Sequence, residues 1–152
     1  MARMTDWQRE AHEATRREMW TLKGPNQVVK VVKPGARSAA MLGGYITVGK
    51  FLLNKTPAQI EAALGLPKGY LADGARIYRF TRLPQVSEYD YELTANFPDG
   101  LAYHPAHSDP RYLPGSRVIP QWKIRHGVQI PVDSAGSLEL KPGQIFPYTW
   151  LA

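Results

Sequence analysis

Two short segments carry residue types suited to binding a phosphorylated ligand with a flat ring. The first is KPGARSAAMLGGY, Lys33 to Tyr45, in which a Pro-Gly turn precedes Arg37 and a Gly43-Gly44 pair precedes Tyr45, eight positions after the arginine. Arginine offers a planar fork of donors that matches phosphate oxygens, and a tyrosine face stacks on a ring. Glycine lets the backbone approach a ligand closely. The second is Pro114 to Trp122, a Pro-Gly turn that delivers Gln121-Trp122 to the start of an expected strand. A carboxamide both donates and accepts, while indole adds a large apolar ring with one donor. Each segment also has a plainer reading. Arg37 and Tyr45 fit an exposed hairpin loop and a half-buried strand residue, and Gln121 and Trp122 fit a surface strand position and a core anchor.

Other clusters compete. Tyr103 to Asp109 holds His104 and His107 beside a carboxylate, but Pro105 between them opposes the helical geometry that would place both imidazoles on one face. A solvated loop is expected there, and no metal. His126, between Arg125 and Gly127, suits a general base in a metal-independent ribonuclease, with Arg117, Lys123 or Arg125 holding phosphate. An ADP-ribosyltransferase would want a glutamate near a ribose, and Glu88, Glu92 and Glu139 have no spacing that singles one out. A non-enzymatic binding or structural module needs none of these residues. Cysteine is absent, which removes thiol nucleophiles and disulfides from consideration.

The elements that must position these residues fit one domain. A chain of 152 residues can bury a real core, and its 43% hydrophobic and 21% charged composition is that of a globular protein. No apolar run approaches the roughly 20 residues of a spanning helix, and residues 2–20 do not read as a signal peptide. Membrane insertion is not expected. The formal charge of +6 suits nucleic acid, an anionic membrane or a phosphorylated small molecule equally. Thirteen glycines and thirteen prolines imply many turns and short strands.

Residues 5–20 read as a helix with a Thr5/Gln8 capping box and a thin apolar stripe, forming an arm that ends at Gly24-Pro25. Strands are expected at Gln27–Val32, from Gly43 to Val48, at Ala75–Leu83 and at Tyr89–Thr94. Thr56-Pro57-Ala58-Gln59 is a second capping box with proline at its first helical position, and Gly65 is the stop. Pro98 to Pro120 lacks periodicity, after which Gln121–Ile124, Val128–Val132 and Ser137–Leu140 read as short strands. The expected fold is α+β: a helical arm over residues 1–26, then a single catalytic domain over 27–152 of mostly antiparallel strands with one or two short helices.

The chain resembles the NAD glycohydrolase toxin domains of the tuberculosis necrotizing toxin type, found at the C-termini of secreted bacterial polymorphic toxins and in some fungal surface enzymes. The resemblance rests on Pro34-Gly35, Arg37, Gly43-Gly44 and Tyr45, on Leu66-Pro67 after the short helix, and on the turn from Pro114 to Gln121-Trp122. Ala36 and Ser38-Ala39 stand where the family usually has an Asp before the arginine and an aromatic-Gly pair after it. The resemblance implies a substrate, NAD(P)+, and no cofactor or metal. It implies Arg37 on the pyrophosphate, Tyr45 on the nicotinamide with Gly44 beside it, Gln121 as the catalytic residue and Trp122 as a wall of the pocket. It also implies delivery by a carrier into the cytoplasm of a target cell and an immunity protein as inhibitor. The transferase and ribonuclease readings stay open as alternatives, with nucleic acid the less expected partner.

Overall fold

A computed structural model describes residues 20–35, 40–90 and 121–152. Arg37, Glu92, His104, His107, Asp109, Arg117, the arm at 5–19, the expected strand beyond residue 90 and the turn over 114–120 lie outside the described residues.

Seven strands form one sheet: β1 (Val28–Val32), β2 (Met41–Leu42), β3 (Tyr45–Val48), β4 (Ala75–Phe80), β5 (Tyr89–Asp90), β6 (Trp122–Ile124) and β7 (Ile130–Leu140). Their order is β2-β7-β4-β1-β3-β6-β5, and every pairing is antiparallel. Only Gly43-Gly44 separates β2, which pairs with β7, from β3, which lies between β1 and β6. The sheet must therefore curl to bring β7 near β3 and β6. One contact marks that closure: a Cβ on Gly43 would sit 2.8 Å from Val128 O, just before β7, while the bond from Ile124 N to Gly44 O at 2.8 Å extends the β3–β6 ladder. Glycine at 43 is what lets the strands approach.

Helix α1 (Pro57–Leu64) forms as its local signals dictate. Thr56 and Gln59 complete the reciprocal capping box, and Gly65 ends the helix in the left-handed region at φ 67°. A second short helix, α2 (Tyr148–Leu151), closes the described chain. Among the described residues no helix is long and apolar enough to cross a membrane. The architecture is α+β, as the composition led us to expect.

Strand alternation sorts the core into two clusters, one per face. Val29, Val31, Ala75 and Ile77 meet α1 and the C-terminal residues Phe146 and Leu151 on one face. On the other, Val28, Ile46, Val48, Tyr78, Phe80, Trp122, Ile124, Ile130 and Val132 pack with Trp20 and Tyr89. Trp20 belongs to this second core, its ring centroid 5.2 Å from that of Trp122 and 5.3 Å from that of Tyr89. The packed unit thus reaches back to Trp20, and Gly24 N donates to Leu151 O at 2.7 Å.

One expectation is corrected. The segments Val128–Val132 and Ser137–Leu140 are not separate strands; the single strand β7 runs through Asp133-Ser134-Ala135-Gly136. The turn signals there are real but local. Between the pairs Ile77↔Leu138 and Arg79↔Asp133 the register shifts, so the extra residues of β7 bulge outward. Asp133 Oδ1 accepts from Gly136 N, and Trp150 Nε1 donates to Gly136 O.

Candidate functional site

Among the described residues the end of α1 leaves part of the first face uncovered, and a pocket of about 260 Å³ opens there. Its floor is Val29 and Val31 of β1 with Tyr45 and Thr47 of β3; Leu64, Leu66, Pro67 and Tyr70 overhang it. The overhang follows from Gly65, whose left-handed conformation turns the chain back over the sheet. It is fastened by Glu61, a buried carboxylate whose Oε1 accepts from Leu71 N at 2.8 Å.

Gln121 also lines this pocket and is buried. Its Nε2 donates to Leu64 O at 3.0 Å, one of the last-turn carbonyls that a helix cannot satisfy internally. That bond caps a carbonyl at the end of α1 and fixes the carboxamide there; Lys30 is the charged residue in the lining.

The structure therefore brings Tyr45, Gln121 and Leu66-Pro67, which are far apart in sequence, to one cavity. It does not bring Trp122 there. Adjacent strand residues point to opposite faces, and Trp122, one residue past Gln121, is fully buried in the second core against Trp20 and Tyr89. The expectation that Trp122 walls the pocket is corrected on that ground. Gly44, at φ 80°, lies at a different cavity, described next.

Two lysines edge the aromatic residues. Lys33 Nζ lies 4.6 Å from the Tyr70 ring centroid, and Lys123 Nζ lies 5.8 Å from that of Tyr45, its cross-strand partner. Neither Tyr70 nor Lys33 was singled out from the sequence. A Gly-Tyr pair soon after Leu66-Pro67 and a lysine closing β1 are the signals that were available.

Beyond the Tyr45–Lys123 pair, a wider and more open groove of about 770 Å³ is lined by Gly43, Gly44, Lys123, Arg125, His126 and Gln129, among others. Among the described residues the Arg125 side chain makes one bond, Nη2 to Tyr89 O at 3.4 Å, and Arg125 N donates to Glu88 O at 2.7 Å. Arg125, His126 and Gly127 are exposed to solvent.

Lys30 was also missed. Lying between Val29 and Val31, it turns to the second face, where its Nζ would come within 2.9 Å of a Cβ on Gly44. Burial pushes its ammonium down to about 8. Among the described residues it has no ion-pair partner, and the buried hydroxyl of its cross-strand neighbour Tyr78 has no hydrogen bond.

In comparisons with known proteins, no family model, no curated protein and no solved structure matches the chain.

Proposed function

We propose that the chain is an NAD(P)+ glycohydrolase that cleaves the nicotinamide–ribose bond. The carrying observation is the convergence of Tyr45, Gln121 and Leu66-Pro67, three separate pieces of the family resemblance, on one pocket. A pocket near 260 Å³ is small for a complete dinucleotide but suits a single ring.

Nicotinamide would lie against Tyr45, its pyridinium drawn to the ring face. As the glycosidic bond breaks, its electron pair neutralises the pyridinium nitrogen, so the leaving group needs no acid. Positive charge develops on the ribose, and water adds to that carbon with loss of a proton, giving ADP-ribose. Gln121 would orient the ribose hydroxyls or the attacking water, its carboxamide plane fixed by the bond to Leu64. Arg37 would hold the pyrophosphate. By the same resemblance, the activity would serve a toxin delivered into a target cell and restrained by an immunity protein.

The test is release of free nicotinamide and ADP-ribose from NAD+. Wild-type protein should release both, and Gln121→Ala should lower the rate by roughly 100-fold, the scale of losing one preorganised polar group. Thermal unfolding of the variant separates loss of chemistry from loss of fold. No release by the wild type at high concentration would overturn the proposal.

A ribonuclease reading has one observation in its favour: Lys123, Arg125 and His126 do line a single groove. It would require RNA cleavage that disappears in His126→Ala.

A further inference from the structure

The smaller pocket cannot hold the whole proposed substrate, and the larger groove lies beside it. Lys123 lines the groove, yet its ammonium lies over Tyr45 of the pocket. Gly44 lines the groove and Tyr45, the next residue, lines the pocket. The two cavities are therefore neighbours, one lined by each member of the Tyr45–Lys123 pair.

Their chemistry differs in the sense a dinucleotide requires. The pocket is largely apolar, with Tyr45 and Tyr70 in its lining and Lys30, Thr47 and Gln121 as its polar members. The groove presents Lys123 and Arg125 together with His126 and the backbone of Gly43-Gly44, a lining suited to phosphate oxygens and polar sugar edges. Arg125 spends one donor on Tyr89 O, which steadies the guanidinium while leaving others for a ligand.

We infer that the groove is the subsite for the ADP-ribose half of the substrate, with Arg125 and His126 as its contacts and Lys123 at the boundary with the nicotinamide pocket. The inference rests on the glycohydrolase reading. It adds a binding surface formed by the β6–β7 connection, which that reading does not use.

The experiment titrates the whole protein separately with ADP-ribose and with nicotinamide, by calorimetry. Arg125→Met and His126→Gln alter exposed side chains and should leave the fold intact, as thermal unfolding would verify. Arg125→Met should weaken ADP-ribose about tenfold, the scale of one charge-assisted hydrogen bond, with His126→Gln smaller and the double variant larger. Nicotinamide affinity should not change in any of them. Tyr45→Ala should show the reverse pattern.

ADP-ribose that binds wild type and variants alike, or fails to bind wild type at millimolar concentration, overturns the inference. So does an RNA oligonucleotide whose binding falls in Arg125→Met while that of ADP-ribose does not; the groove would then belong to nucleic acid. Failure of the glycohydrolase reading looks different. In that case ADP-ribose binds and responds to the variants, but no nicotinamide is released from NAD+.

Discussion

The two faces of the sheet are made by the same strands, yet among the described residues one closes and the other does not. On the second face the rings of Trp20, Tyr89 and Trp122 fill the curl, and Trp122 and Tyr89 are fully buried. On the first, an eight-residue helix covers only part of the surface, and the uncovered part becomes the pocket. One position of strand parity separates a core residue from a pocket residue. Tyr45 faces the cavity and Ile46 the core, as Gln121 faces the cavity and Trp122 the core. Stability and recognition are thus assigned to alternate residues of the same strands, and substitutions one position apart should have different consequences.

The strongest way to break that comparison is Trp122→Ala. It should destabilise the domain by about 3–5 kcal/mol, the cost of emptying a large buried aromatic site, as measured by denaturant unfolding. A loss below about 1 kcal/mol would mean that the second face is not a close-packed core.

Lys30 is an exception on the second face, a cation where its neighbours are apolar, and Lys30→Met should sharpen the contrast. The folded-state value of about 8 lies below the ordinary 10.5, so the unfolded chain binds more protons between those values. Wild-type stability should therefore rise as pH climbs from about 8 to about 10.5, and the cost of the buried charge should be fully present below about 8. Lys30→Met should abolish the rise and add about 1–3 kcal/mol at neutral pH. A stability profile identical to wild type would show that the ammonium reaches solvent.

The smallest effect belongs outside both faces, at the loop leading into β5. Glu88 is held down to about 2, chiefly by the hydrogen bond from Arg82, with Gln85 N as a further donor to the carboxylate. Because the folded value is depressed, its contribution is present above the usual carboxylate range and lost as pH falls toward about 2. Glu88→Gln should cost less than about 1 kcal/mol at pH 7, since Arg82 is substantially exposed, and the difference from wild type should vanish near pH 2. A difference that persists at pH 2 would refute the ionic origin.

How much of this the sequence revealed follows from the range of each signal. Helix α1 was legible to the residue, because a capping box, a proline and a glycine stop are all local. Strands β1, β3 and β4 were legible from composition and alternation. The continuity of β7 was not. Asp133-Ser134-Ala135-Gly136 has turn chemistry, and only pairing with β4 on both sides carries the strand through it as a bulge. At the site, Tyr45 and Gln121 were recognised by type, but their meeting depends on Gln121 reaching the end of α1 across 57 positions of sequence. Tyr70 and Lys33 acquire meaning only from the chain reversal at Gly65, and Lys123, read from the sequence as a phosphate contact, meets Tyr45 only through cross-strand register. Placing Gln121 and Trp122 in one pocket conflicted with strand parity, which the sequence already contained.

The bond from Gly24 N to Leu151 O has a kinetic meaning. Leu151 O also accepts from the buried Gln27 side chain at 3.3 Å, and Trp150 O accepts from Arg79. The beginning of β1 and the middle of β4 are therefore completed by residues made more than seventy positions later. During translation the first face could not seal before residues 150 and 151 had left the ribosome. Contacts so distant in sequence predict slow, late and concerted closure, with the earlier strands exposed until residue 151 arrives.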